Sequence, residues 1–127
     1  MSSSEKFNPT KSNVISNVED RDNFAEFLSI NKGKKVVVVQ GLGFVGAVMA
    51  LVCANAIGEE YAVIGVDLPN LKSSKMINDL NGGKFPLVAD DPKIDEFFKN
   101  AQKKKNFYAT SDINAYRYAD IIIIPKP

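Results

Sequence analysis

Glycines stand at 41, 43 and 46 in the run Gly41-Leu42-Gly43-Phe44-Val45-Gly46, and an aspartate, Asp67, follows 21 positions after the last of them. Gly-x-Gly-x-x-Gly alone is a weak signal, because glycine is common and the pattern is short. Three neighbouring features strengthen it here. Val36-Val37-Val38-Val39 immediately precedes the glycines and has the β-branched continuity of a strand buried on both faces. Phe44 and the residues after it read as a helix. Asp67 ends a second apolar run, Ala62-Val63-Ile64-Gly65-Val66. Strand, glycine turn, helix and acid-ended strand in that order can cradle a dinucleotide.

Each position has a physical task in such a cradle. Gly41 permits the tight turn out of the strand, and Gly43, lacking a Cβ, lets the backbone approach a pyrophosphate. Gly46 allows the helix to lie close to the sheet, helped by the small Ala47 and Ala50. The first-turn N–H groups at Phe44, Val45 and Gly46, with the positive end of the helix dipole, would face the phosphates. Asp67, followed by Leu68, would accept hydrogen bonds from the adenosine ribose hydroxyls. Its charge would repel a 2′-phosphate, so NAD is expected rather than NADP. Two other readings fit the same glycines: a ligand-free turn in an α/β domain, and a cradle for another adenine ligand such as FAD or S-adenosylmethionine.

The elements that must position these residues alternate along the chain. Strands are expected near 36–39, 62–66, 107–110 and 121–124, the last being Ile121-Ile122-Ile123-Ile124. Helices are expected from Phe44 to about Ile57, from about Leu71 to Leu80 with a stop at Asn81-Gly82-Gly83, and from Pro92 with Ile94, Phe97, Phe98 and Ala101 on one face. One or two helical turns fit 112–116. Right-handed crossovers then give an α/β fold: a Rossmann-like, doubly wound parallel sheet in strand order 3-2-1-4, the N-terminal half of the full fold. Residues 1–33 read as a polar N-terminal extension, mobile to about Ser16, with a short helix capped by Asn17 and an apolar face of Phe24, Phe27 and Leu28. Residues 34–127 read as the NAD-binding domain.

Composition narrows the chemistry. The 127 residues suit one compact domain, and a net charge of +1 gives no reason to expect a nucleic-acid or anionic-membrane partner. Lys103-Lys104-Lys105 is expected to close a helix, where cations suit the dipole. With one cysteine and no histidine there is no disulfide framework and no Cys/His zinc site, and the commonest general base is missing. Cys53 falls in the middle of the glycine helix and reads as a small buried hydrophobe, not a nucleophile. No stretch suits a signal peptide or membrane span, so a cytoplasmic location is expected.

The stretches "VVVVQGLGFVGAVMA", "GVDL", "LNGGKFP", "DPKIDEFFKNA", "YATSD" and "ADIIIIPKP" stand in this order. Together they resemble the UDP-glucose/GDP-mannose dehydrogenases, from about Lys35 to Pro127. The resemblance implies NAD-dependent, two-step oxidation of a nucleotide sugar's C6 alcohol to a carboxylate, as in enzymes making UDP-glucuronate and N-acetylated uronates for polysaccharides. It also implies that the catalytic cysteine, lysine, asparagine and acidic residues lie beyond Pro127, leaving this chain with a coenzyme site and no catalytic residue. The chain is thus expected to be an N-terminal fragment of a longer enzyme, or else a truncated product, inactive alone and meeting a nucleotide sugar only in the full-length enzyme. A lysine shortly after the acidic position often helps hold the ribose or phosphate in this family; Lys72 is the first candidate here and Lys75 the second. The family's turn after the last strand is altered to Pro125-Lys126-Pro127, which leaves its contacts open. The last strand is expected at an exposed edge, or paired with a second copy in a homo-oligomer. The alternatives are a free-standing nucleotide-sensing or scaffolding module, or the coenzyme domain of another dehydrogenase family.

Overall fold

Four parallel strands form the centre of the chain in a computed structural model that describes residues 17–88 and 90–126. They are β1 (Lys35–Gln40), β2 (Tyr61–Val66), β3 (Phe107–Thr110) and β4 (Ile121–Ile123), in spatial order β3-β2-β1-β4. This is the doubly wound order expected from the sequence. The register pairs Val37 with Val63 and with Ile121, and Gly65 with Ala109. The expectation for 1–16 lies outside the described residues, as does Pro127 of the final turn.

Alternation along the strands builds two cores. Val37, Val39, Val63, Phe107 and Ala109 face one side and pack with Leu51, Ile77, Leu80 and Phe98. Those partners come from α2 (Phe44–Ala54), α3 (Leu71–Asn81) and α4 (Pro92–Lys104). Val38, Ala62, Ile64, Val66 and Tyr108 face the other side. There the cover is α1 (Asn17–Ile30) together with a 3-10 helix over Ile113–Tyr118. Phe27 of α1 is buried, with Phe24 and Leu28 packed beside it, as the spacing predicts. The rings of Phe24 and Phe27 lie 5.8 and 5.7 Å from that of Tyr108.

A polar clamp fixes α1 to β3. The Asp20 carboxylate accepts hydrogen bonds from the Tyr108 hydroxyl and from Thr110 Oγ1, the latter at 2.7 Å. Burial, and then the bond and charge of Asp20, push the Tyr108 pKa well above its ordinary value. The helix whose purpose the sequence leaves open is therefore the lid of the second core.

Two edges of the sheet differ. At β3 the Asn81 side-chain amide donates to the Ala109 carbonyl at 2.7 Å and accepts from the Ala109 N–H at 2.9 Å, filling the place of a neighbouring strand. At β4 no strand lies beyond among the described residues, and Ile121 and Ile122 are 41% and 50% exposed. The exposed final edge is as expected.

One helix is shorter than its sequence suggests. α2 stops at Ala54 rather than near Ile57, because Asn55 turns its amide onto the Leu51 carbonyl (2.8 Å) and the Phe97 carbonyl (3.0 Å). Ile57 is then fully exposed and gives no packing to extend the helix. At the end of α4, Lys103 and Lys104 lie in the last turn and Lys105 caps it in the left-handed region, φ 55°. No helix among the described residues is long and apolar enough to cross a membrane.

Candidate functional site

The strand order reverses between β1 and β4, and ligands of open α/β sheets bind at such a switch point, beyond the carboxyl ends of the strands. Here the glycine turn leaves β1 at that place. Gly41 has φ +94°, a conformation that side-chain-bearing residues rarely adopt, and its N–H donates to the Val66 carbonyl at 2.7 Å. The next residue, Leu42, is fully buried and fills the space over Gly65 of β2, where an added Cβ would come within 2.4 Å of Leu42 Cδ2. Gly46 is pressed still harder: a Cβ there would lie 2.0 Å from the Gly41 carbonyl oxygen. Two of the three fingerprint glycines are thus required by the protein's own structure, Gly41 by its backbone conformation and Gly46 by close packing.

Gly43 is different. Its φ of −64° suits any residue, and a Cβ built on it would meet no protein atom within 4 Å. It is the N-cap of α2, and no side chain caps the helix. The N–H groups of the first turn therefore have neither intrahelical nor side-chain acceptors, the arrangement that receives phosphate oxygens. The turn opens on a cleft of about 320 Å³ walled by Gly41, Gly43, Phe44, Val45 and Gly46. Gln40, Pro125 and Lys126 complete the wall.

Asp67 closes the other side of the turn. Its Oδ2 accepts from the Leu42 N–H at 2.7 Å, and its Oδ1 accepts from the Leu68 N–H at 2.7 Å and from Ser73 Oγ at 3.2 Å. Oδ2 keeps a free lone pair beside the turn, and Ser73 is a hydroxyl that a ribose hydroxyl can replace. The carboxylate also raises the pKa of the Tyr116 phenol, after burial, which contributes more. Tyr116 donates to Gln40 Oε1 at 3.3 Å, so the 3-10 helix reaches the same end of the sheet.

Of the residues singled out in sequence, Gly41, Gly43, Phe44, Val45 and Gly46 gather around one cleft, and Asp67, outside its wall, is bonded to the glycine turn at the Leu42 N–H. Leu68 contributes its N–H to Asp67 while its side chain is exposed. Lys72 is exposed in the first turn of α3, outside the cleft wall, and pairs with no carboxylate among the described residues. Lys75 pairs instead with Asp79 at 3.1 Å. Cys53 is a half-buried free thiol whose pKa burial pushes up, which suits packing rather than nucleophilic chemistry.

Sequence reading did not assign Ser73, Pro125 or Lys126 to the site. A signal existed for each. Ser73 follows Asn70 by three, the spacing of a side-chain cap, and Asn70 Oδ1 does accept from the Ser73 N–H at 2.9 Å. Strand order 3-2-1-4 already sets the end of β4 beside the end of β1.

Residues 34–127 match the NAD binding domain of the UDP-glucose/GDP-mannose dehydrogenase family. The chain belongs to that family. α1 lies outside the matched residues, although it seals the family domain's second core. Among solved structures, the chain is similar to the NDP-N-acetyl-D-galactosaminuronic acid dehydrogenase from Methanosarcina mazei Go1, with a TM-score of 0.66 and 25% identity. The likeness covers 81% of this chain and 22% of that protein. No curated protein sequence matches the chain.

Proposed function

We propose that this domain holds the ADP half of NAD for a nucleotide-sugar 6-dehydrogenase, which oxidises the sugar's C6 alcohol to a uronate. The observation that carries the reading is the bond between Asp67 and the Leu42 N–H, which ties the ribose-binding carboxylate to the phosphate-binding turn at a fixed spacing. Gly41 and Gly46 shape the turn, Gly43 leaves room for the pyrophosphate, and the N–H groups of Phe44, Val45 and Gly46 receive its oxygens. Asp67 orients the adenosine ribose and repels a 2′-phosphate. When bound, NAD supplies the hydride acceptor. Within these 127 residues Cys53 is badly placed to be a nucleophile, so the chain alone is expected to turn over no sugar. Leu68 and Lys72 would flank the ribose, with Lys72 the mobile contributor.

Calorimetric titration should show NAD or NADH binding and little NADP binding. Asp67→Asn keeps an acceptor for Leu42 but loses the charge, and should weaken NAD by roughly 1–3 kcal/mol. An unchanged affinity removes Asp67 from the ribose site, and tighter binding of FAD or S-adenosylmethionine would reassign the cradle. We further propose that β4 pairs with a second copy when nothing else covers it; sedimentation showing only monomer at high concentration would discard that.

A further inference from the structure

Among the described residues, Lys126 is the only charged one in the wall of the cleft. It pairs with no carboxylate among the described residues and is exposed. Its position is set from both sides. Pro125 fixes the backbone before it, and a Cβ at Gly46 would approach Pro125 Cγ to 3.6 Å, so the proline ring leans on the first turn of α2. In sequence Lys126 also precedes Pro127, which biases it toward an extended backbone. β4 pairs in register with β1 as far as Val39 and Ile123, so the residues after each strand leave the sheet side by side. Lys126 thus stands across the cleft from the glycine turn, on a short and stiff support.

The cleft is otherwise uncharged, and its glycine side offers only backbone N–H donors. A ligand with two adjacent negative groups would have donors on one flank and nothing but Lys126 for charge. We propose that Lys126 is a specificity-determining residue of this site, its ammonium facing the pyrophosphate of the dinucleotide from the side opposite the α2 N-terminus. The assignment rests on the NAD reading above and adds to it a residue from the far strand. Two flanks of the pyrophosphate are then held by different parts of the chain. Affinity is accordingly sensitive to ionic strength, since a lysine acts on phosphate as a point charge.

The test is titration of the whole chain and of Lys126→Gln and Lys126→Arg with NAD, ADP and adenosine at two salt concentrations. Lys126→Gln should bind NAD and ADP about tenfold more weakly, with a shallower dependence on salt, and adenosine unchanged. Lys126→Arg should recover most of the loss. If the wild type binds NAD and Lys126→Gln binds it equally well with the same salt dependence, the role of Lys126 is overturned while the cradle stands. Equal loss toward adenosine would also overturn it, because adenosine carries no phosphate. A wild type that binds neither NAD nor ADP would overturn the NAD reading and this assignment with it.

Discussion

Gly46→Ala is expected to lower the melting temperature of the chain by roughly 10 °C or more, corresponding to about 3 kcal/mol. The added methyl would sit 2.0 Å from the Gly41 carbonyl oxygen, a backbone atom that no side-chain rotation can move. Either α2 must lift from the turn or the turn must open. Lifting α2 disturbs Ala47, Ala50 and Leu51, all buried against the sheet. Opening the turn loosens the Gly41 N–H bond to Val66 and drags Leu42 from its place over Gly65. Thermal unfolding followed by circular dichroism measures the effect. A melting temperature within a degree or two of wild type would mean that the turn is softer than its geometry implies.

Gly43→Ser is the opposite case, with folding held and binding lost. The serine methylene would enter open space, and the extended backbone at Gly43 suits a serine N-cap. Its hydroxyl would accept from a first-turn N–H of α2, which has no side-chain cap at present. Stability should stay level or rise by a few tenths of a kcal/mol. The same hydroxyl occupies the donor and the space that a phosphate oxygen would use. NAD affinity should fall by about 2 kcal/mol, roughly thirtyfold in Kd. Calorimetry alongside a thermal melt separates the two effects. Wild-type affinity in a well-folded Gly43→Ser protein would show that the pyrophosphate does not pass over Gly43.

What the sequence disclosed depended on how locally each feature is determined. The β-branched runs at 36–39 and 62–66, the glycines between them and the aspartate after them specify strand, turn and helix within some thirty residues. Right-handed crossovers, with the doubly wound fold that the fingerprint suggests, then give the sheet order. The end of α2 escaped because it is decided by Asn55 reaching Phe97, a contact 42 residues away. α1 was legible as an amphipathic helix, but its seat was not, since Asp20 meets Tyr108 and Thr110 only after β3 is in place. For the site, the glycine turn was readable and the unequal demands on its three glycines were not. Composition does not distinguish a glycine required by a carbonyl 2.0 Å away, as at Gly46, from one facing empty space, as at Gly43. Lys126 escaped for a related reason: its turn departs from the family's pattern, and its proximity to the cleft comes from the pairing of β4 with β1.

The Asn81 amide at the β3 edge has a consequence for growth. An outer strand is a template, and any further strand must find unused N–H and C=O groups in register with its own. Asn81 consumes one such pair at Ala109 with a side chain that cannot be extended, so the template is interrupted at the middle of a four-residue strand. β4 presents Ile121, Ile122 and Ile123 with no interruption of that kind among the described residues. The sheet is therefore polar in the sense in which a filament is polar, with one blocked end and one growing end. A further strand would find the less obstructed edge beside β4, on the Lys126 side of the cleft.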